Sequence, residues 1–241
     1  MSEDGPVAPS ASAATTLRGI PRRPAMVLID VDGTLVDSVP DLAFSVDRMM
    51  EQLGLPGRGE SRVRDWVGNG VERLVKRALT GTLEEEPEPE LFERAMPLFL
   101  AAYQENTTQR SQLYPGVRET LDLLRERGYK LGCVTNKPAQ FTEPLLQKLG
   151  IAPYFALVVS GDTLPEQKPD PMPLLYVAQY FAVAPQASLM VGDSSVDVKA
   201  ARAAGFAVVC VSYGYNHGLD IRDSEPDAVI DSLYELLDLL D

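Results

Sequence analysis

Short runs of apolar residues recur along the chain, and amphipathic stretches separate them. The runs occupy residues 26–29, 131–134, 156–159, 189–191 and 207–211. Each run is apolar at successive positions rather than at every second one, which is typical of strands buried on both faces of a parallel sheet. The pattern predicts an α/β fold with a Rossmann-like, doubly wound parallel sheet.

The stretches between the runs carry apolar residues at helical spacing. Val117, Leu121 and Leu124 lie four and three positions apart, and Gly128 follows them. Such a spacing places the side chains on one face of a helix, and a terminal glycine adopts the left-handed conformation that ends many helices. The second half of the chain therefore predicts strands that alternate with helices.

Residues 40–113 interrupt this alternation because they show only helical periodicity, as at Leu42 and Val46. The segment is too long for a single crossover helix between two parallel strands. We interpret it as a helical cap domain inserted after the first strand. Residues 25–39 and 114–241 then form the Rossmann-like core.

Residues 1–24 show neither period and are rich in Ser, Ala, Thr, Pro and Gly, so we expect a disordered tail. Met26 directly precedes the first strand, and we hypothesise that translation can begin there. No apolar run approaches the ~20 residues of a membrane helix, and the N-terminus lacks the apolar segment of a signal peptide. We expect a cytoplasmic protein.

The net charge of −13 argues against nucleic acid and anionic membranes as partners, since both attract basic proteins. His217 is the only histidine, which excludes every site that needs two. We expect Cys133 and Cys210 to be buried, reduced thiols because both lie in apolar runs. Oligomeric state remains open.

Polar side chains follow three of the predicted strands, where each strand ends. They are Asp30 and Asp32, then Thr135 and Asn136, then Asp193 and Asp197. Each group taken alone is explained equally well as part of a turn or as a helix cap. Together they would meet at one sheet edge, where four crowded acids destabilise the fold unless a cation is present.

Oxygen ligands without histidine or cysteine suit Mg²⁺, which pairs readily with phosphate oxygens. Lys168 precedes a proline-initiated helix and could supply a positive charge for a phosphate at the same edge. The backbone N–H groups after Thr135 could also bind an anion, because a predicted helix starts there. The chain therefore predicts a Mg²⁺ and phosphate site.

Four segments, in this order, resemble the four motifs of the haloacid dehalogenase superfamily: residues 30–34, 135–136, 168–169 and 192–197. The resemblance covers residues ~26–240 and implies a Rossmann-like core with an inserted helical cap. The sequence of residues 34–42 and 66–70 is similar to the sequences of bacterial phosphoglycolate phosphatases. Asp32 implies phosphoester chemistry, because relatives that protonate no alkoxide carry a non-acidic residue there.

The resemblance also implies a role for each site residue. Asp30 would be the nucleophile that forms an aspartyl-phosphate, and Asp32 the general acid and then the general base. Mg²⁺ would be held by the carboxylates of Asp30 and Asp193 and the backbone carbonyl of Asp32. The phosphoryl oxygens would be bound by Thr135, Asn136 and Lys168. Asp197 would orient Lys168 or metal-bound water rather than bind the metal.

The expected function is Mg²⁺-dependent hydrolysis of a small phosphorylated metabolite, 2-phosphoglycolate. Another phosphate ester, a phosphomutase activity, or a non-catalytic phospho-receiver module are the alternatives. Residues 68–70 are equally well a loop that approaches the substrate or a turn between helices. We expect Trp66 in the cap core and give His217 only a weak chance of a role near the site.

Overall fold

The computed structural model describes residues 19–240 and consists of a parallel sheet with helices on both faces and a group of four helices above one sheet edge. Of the predicted tail, residues 1–18 lie outside the described residues. The elements follow one another as β1 (Met26–Ile29), β2 (Val36–Asp37), α1 (Val39–Gln52), α2 (Glu60–Trp66), α3 (Gly70–Thr80), α4 (Pro89–Asn106), β3 (Gln112–Leu113), α5 (Val117–Glu126), β4 (Lys130–Val134), α6 (Ala139–Lys148), β5 (Leu157–Val159), α7 (Met172–Phe181), β6 (Ser188–Gly192), α8 (Ser195–Ala204), β7 (Ala207–Val211), β8 (Ala228–Ile230) and α9 (Leu236–Leu240).

The large sheet confirms the predicted α/β fold. Its six strands are parallel and ordered β5-β4-β1-β6-β7-β8, and all five predicted apolar runs are among them. The sixth strand, β8, was not predicted, although residues 228–230 form an apolar run as long as 189–191. β1 lies between β4 and β6, so the ends of these three strands are neighbours.

The first strand shows why the apolar runs are continuous. Val27 and Ile29 pack into the hydrophobic core on one face of the sheet, and Met26 and Leu28 pack into the core on the other face. All four residues are fully buried. Successive side chains of a strand point to opposite faces, so a strand covered on both sides needs apolar residues at every position.

Helices α1 to α4 form a separate hydrophobic cluster, which we call the cap. Trp66 lies within this cluster, as predicted, and Phe141 and Tyr215 of the core contribute to it. The short antiparallel pair β2 and β3 joins the two chain crossings between cap and core. None of the helices between residues 19 and 240 is long and apolar enough to cross a membrane. Cys133 and Cys210 are buried and unpaired, as expected.

Candidate active site

Of the six residues predicted at the strand ends, all but Asp197 line one cavity between the core and the cap. The β1 register pairs Ile29 with Cys133 of β4 and with Val191 of β6, so Asp30 lies within one position of the level of Thr135 and Asp193. The core side of the cavity is lined by Asp30, Asp32, Thr135, Asn136, Lys137, Asp193, Ser194 and Tyr215, and the cap side by Leu42, Val67, Gly68, Gly70, Val71 and Leu74. The sheet edge thus brings together acids that are 163 positions apart at most.

Asp30 is buried at the end of β1 and is paired with a buried lysine. Its Oδ1 accepts a hydrogen bond of 2.7 Å from the backbone N–H of Val31 and lies 3.1 Å from Lys168 Nζ. Lys168 Nζ also donates to Asp197 Oδ1 at 2.6 Å. Because the Lys168 side chain is only 2% exposed, its ammonium group is held by these two carboxylates rather than by water.

Asp193 at the end of β6 is held in place by residues from two other segments. Thr34 Oγ1 donates to Asp193 Oδ1 at 3.0 Å, and the Tyr215 backbone N–H donates to Oδ2 at 2.5 Å. A Cβ atom on Gly33 or on Gly214 would overlap the Asp193 side chain. Glycine is therefore required at both positions for this carboxylate to occupy the cavity.

Asp197 is the acid of the four whose oxygens are most fully used. Its Oδ2 accepts from Ser194 Oγ at 2.7 Å and from the backbone N–H groups of Ser194 and Asp193, and its Oδ1 accepts from Lys168. It forms a capping box with Ser194 at the start of α8. Asp197 thus caps helix α8 and at the same time holds Lys168 of the site.

The acids of this edge fit a small divalent cation. Carboxylate oxygens of Asp30, Asp193 and Asp197 all lie within 4.8 Å of one another, and hard oxygen donors suit such an ion. Because Asp197 Oδ1 is paired with Lys168 and its Oδ2 already accepts from three donors, Asp30 and Asp193 are the two carboxylates available to it. Burial raises the pKa of Asp30 to about 7, which Lys168 only partly opposes and nearby acids reinforce. Burial and the neighbouring acids also raise the pKa of Asp193 well above its ordinary range. A cation would offset both penalties.

The metal-free protein should therefore lose stability as the pH rises through about 7. Folded Asp30 keeps a proton that the unfolded chain releases above its ordinary pKa of 3.8, so the stabilisation by protonation is complete below that value and lost above about 7. In a chelating buffer, the difference in melting temperature between wild type and Asp30→Asn should shift against wild type as the pH rises from 3.8 to about 7. The subtraction removes the pH dependence of groups common to both proteins, and a constant difference would contradict the prediction.

The carboxylate of Asp32 is not part of the acid cluster and makes a different set of contacts. Its Oδ1 accepts from Ser38 Oγ at 2.5 Å, and Lys137 Nζ lies 3.1 Å from each of its two oxygens. Of the three residues predicted to hold a metal, Asp32 therefore has only its backbone carbonyl left for that purpose, which is the atom the motif resemblance implies. Its side chain remains on the cavity wall.

Thr135 and Asn136 both lie in the cavity wall, but their side chains have different partners. Thr135 Oγ1 accepts from the backbone N–H of Lys137 at 3.3 Å, which leaves its own hydroxyl proton for another acceptor. Asn136 Nδ2 donates to the backbone carbonyl of Lys168 at 2.7 Å, and Asn136 Oδ1 is buried without a partner among the described residues. The Asn136 amide thus holds the loop that carries Lys168.

Four further residues take part in the site and were given no role from the sequence: Thr34, Ser38, Lys137 and Tyr215. Lys137 directly follows Asn136, so its place beside a proposed site motif was a usable signal. Tyr215 gave none, since it acts through its backbone on Asp193 and through its hydroxyl on Asp37 and on the N–H of Ser38. Such contacts depend on the packing of the loop after β7.

His217 lies at the junction between core and cap rather than among the acids. Its Nδ1 is 2.8 Å from the backbone carbonyl oxygen of Asp65, and burial lowers its pKa. Gly68 and Gly70 have φ angles of 129° and 83° and line the cavity, so their loop faces the site instead of solvent alone. Arg77 fixes this loop by donating to the carbonyl of Trp66 at 2.7 Å.

Comparisons with known proteins agree with this geometry. The family model described as haloacid dehalogenase-like hydrolase matches residues 27–211. A phosphoglycolate phosphatase of Nitrosococcus oceani is 65% identical over 219 residues, which cover 91% of this chain and 97% of the relative. One from Nitrosospira multiformis is 48% identical over 214 residues, covering 89% of this chain and 94% of the relative. The crystal structure of a predicted phosphoglycolate phosphatase from Haemophilus somnus superposes with a TM-score of 0.86 at 38% identity, covering 92% of this chain and all of that one.

Proposed function

This chain belongs to the haloacid dehalogenase-like hydrolase family, and on that premise we propose that it hydrolyses 2-phosphoglycolate to glycolate and phosphate with the help of Mg²⁺. It is a phosphoric monoester hydrolase, as the relatives' names indicate. The observation that carries the mechanism is the buried carboxylate of Asp30, which shares one cavity with Asp32 and Asp193. The choice of 2-phosphoglycolate as the substrate rests on the names of relatives that match nearly the whole chain.

The first step is attack by Asp30 on phosphorus. Both its contacts, with Val31 and Lys168, are made by Oδ1, so Oδ2 accepts no hydrogen bond from the described residues and is the oxygen left to react. A bond forms between Oδ2 and phosphorus while the bond from phosphorus to the ester oxygen breaks. The product is an aspartyl-phosphate on Asp30 and an alkoxide.

Asp32 handles the protons of both steps. In its protonated form it gives a proton to the leaving alkoxide, which departs as glycolate. The resulting carboxylate then takes a proton from the water that attacks the aspartyl-phosphate, so that inorganic phosphate leaves and both aspartates return to their starting state. Its place on the same cavity wall as Asp30 supports this assignment.

The phosphoryl group carries negative charge that the surrounding acids would repel. Lys168 supplies a fixed positive charge beside Asp30, and the Thr135 hydroxyl proton supplies a donor. Bound Mg²⁺, held by the carboxylates of Asp30 and Asp193 and the Asp32 carbonyl, would neutralise charge on the phosphoryl oxygens. Asp197 holds Lys168 in position.

A panel of phosphate esters tests the proposal. We expect kcat/KM for 2-phosphoglycolate to exceed that for sugar phosphates and nucleoside monophosphates by about tenfold or more, because the cap wall opposite the acids leaves room for a small ester only. The relatives' names predict a similar preference over ethyl phosphate. Activity should vanish with a chelator and return with Mg²⁺. Equal or better turnover of any other ester in the panel would reject 2-phosphoglycolate as the preferred substrate, and metal-independent turnover would reject the metal.

A further inference from the structure

A second buried lysine, Lys137, contacts Asp32, the proposed general acid and general base. Its side chain is 1% exposed, and its Nζ lies 3.1 Å from both carboxylate oxygens of Asp32. The two neighbouring aspartates thus each have a buried lysine of their own, Lys168 for Asp30 and Lys137 for Asp32. A carboxylate held through both oxygens by one donor group has a fixed orientation.

The third partner of this ammonium group comes from the cap. Lys137 Nζ donates to the hydroxyl of Tyr103 on α4, and the ammonium group also lies 4.9 Å from the centroid of the Tyr103 ring. The ring packs between Phe99 of α4, at 5.5 Å between centroids, and Phe141 of α6, at 4.6 Å. Tyr103 is therefore held by aromatic stacking between the cap and the core, and this packing places its hydroxyl beside Lys137 Nζ.

The number of donors decides what Lys137 can do. An ammonium group has three N–H donors, and its three acceptors here are the two carboxylate oxygens of Asp32 and the hydroxyl of Tyr103. These acceptors can occupy all three donors, although Lys137 is on the cavity wall. Direct binding of a substrate carboxylate by Lys137 would compete with these three hydrogen bonds.

We propose that Lys137 is a positioning residue that fixes the Asp32 carboxylate toward the reacting atoms, and that Tyr103 of the cap holds Lys137 in that position. The inference rests on the proposed role of Asp32. It adds that the position of the cap affects the proton transfers by Asp32. A cap that moved α4 away from α6 would remove one of the three contacts that hold the ammonium group.

The two chemical steps separate this role from a structural one. With p-nitrophenyl phosphate, the leaving nitrophenolate needs no proton, so the first step does not depend on the orientation of Asp32. Hydrolysis of the aspartyl-phosphate does depend on it. In Lys137→Met we therefore expect an undiminished burst of nitrophenolate, stoichiometric with enzyme, followed by steady turnover reduced about tenfold to a hundredfold. Lys148→Met, which removes an exposed lysine of α6, should behave as wild type.

Tyr103→Phe keeps the stacked ring and removes only the hydroxyl, so it tests the cap contact even if Lys137→Met does not fold. We expect the same pattern, an intact burst and slower turnover, with a loss of about threefold to tenfold. Wild-type turnover in Tyr103→Phe would overturn the part assigned to the cap.

Two results would overturn the role of Lys137. A burst rate that falls by the same factor as turnover would indicate general damage to the site. A raised KM for 2-phosphoglycolate alone, with normal turnover of ethyl phosphate and p-nitrophenyl phosphate, would indicate that Lys137 binds the substrate carboxylate. Failure of wild type to hydrolyse 2-phosphoglycolate would count against the proposed substrate only, because the burst assay needs no carboxylate in the ester.

Discussion

Asp30→Asn should reduce phosphate release from 2-phosphoglycolate by about 10³-fold or more, because an amide cannot form the aspartyl-phosphate. The same change should raise the melting temperature of the metal-free protein at pH 8. Burial and nearby acids make the ionised Asp30 carboxylate costly, and an amide of the same shape carries no charge. Activity and stability would then move in opposite directions.

Turnover, the trapped phosphoenzyme and the melting temperature are the three measurements that check this result. Asp238→Asn is the matched control, since Asp238 is exposed on α9 and does not line the cavity. Retention of about a tenth of wild-type turnover in Asp30→Asn would refute its role as the nucleophile. A lower melting temperature without metal would refute the electrostatic penalty assigned to Asp30.

Lys168→Met should lower kcat/KM by about 100-fold or more, because it removes the fixed positive charge beside the transferring phosphoryl group. It should also destabilise the metal-free protein by about 3 kcal/mol, since a buried ion pair that loses one partner leaves an uncompensated charge. Burial opposes the charge of Lys168, yet Asp197 and Asp30 keep its pKa above the ordinary value, so the lysine is charged in the native site.

A double mutant separates the two effects of Lys168. Asp197→Asn removes the second carboxylate that Lys168 holds at 2.6 Å, so Lys168→Met with Asp197→Asn should recover part of the lost stability. It should recover no activity, because the phosphoryl group still lacks its cation. Denaturant unfolding in a chelating buffer and steady-state kinetics measure the two quantities. Equal stability of the single and double mutants would show that Asp197 is not the charge left uncompensated.

The strands and the proposed site motifs could be predicted because each has a local signature. A strand buried on both faces must be apolar at every position, as Met26–Ile29 is, and this requirement is visible without any knowledge of its neighbours. The acids after β1 and β6 were recognisable from their place at strand ends. Parallel topology then brings such ends to one edge.

The partners of these acids could not be predicted from local patterns in the sequence. Lys168 before a proline turn looks exposed by itself, and only the fold encloses it between Asp30 and Asp197. Tyr103 lies in a helical stretch where its spacing marks it as core, and nothing local relates it to Lys137, 34 positions away. The two-residue strands β2 and β3 were missed because they are too short to show a period.

The sequence by itself determined the fold class, the inserted cap as an expectation, and the set of acids that the chemistry would need. Tertiary structure alone decided which atoms of those acids are free, with Asp30 Oδ2 open, Asp197 saturated and Asp32 held by Lys137. The physical reason is one of range. Periodicity and strand-end motifs are set by neighbouring residues, whereas hydrogen bonds and charge burial depend on which distant side chains the packing brings within about 3 Å.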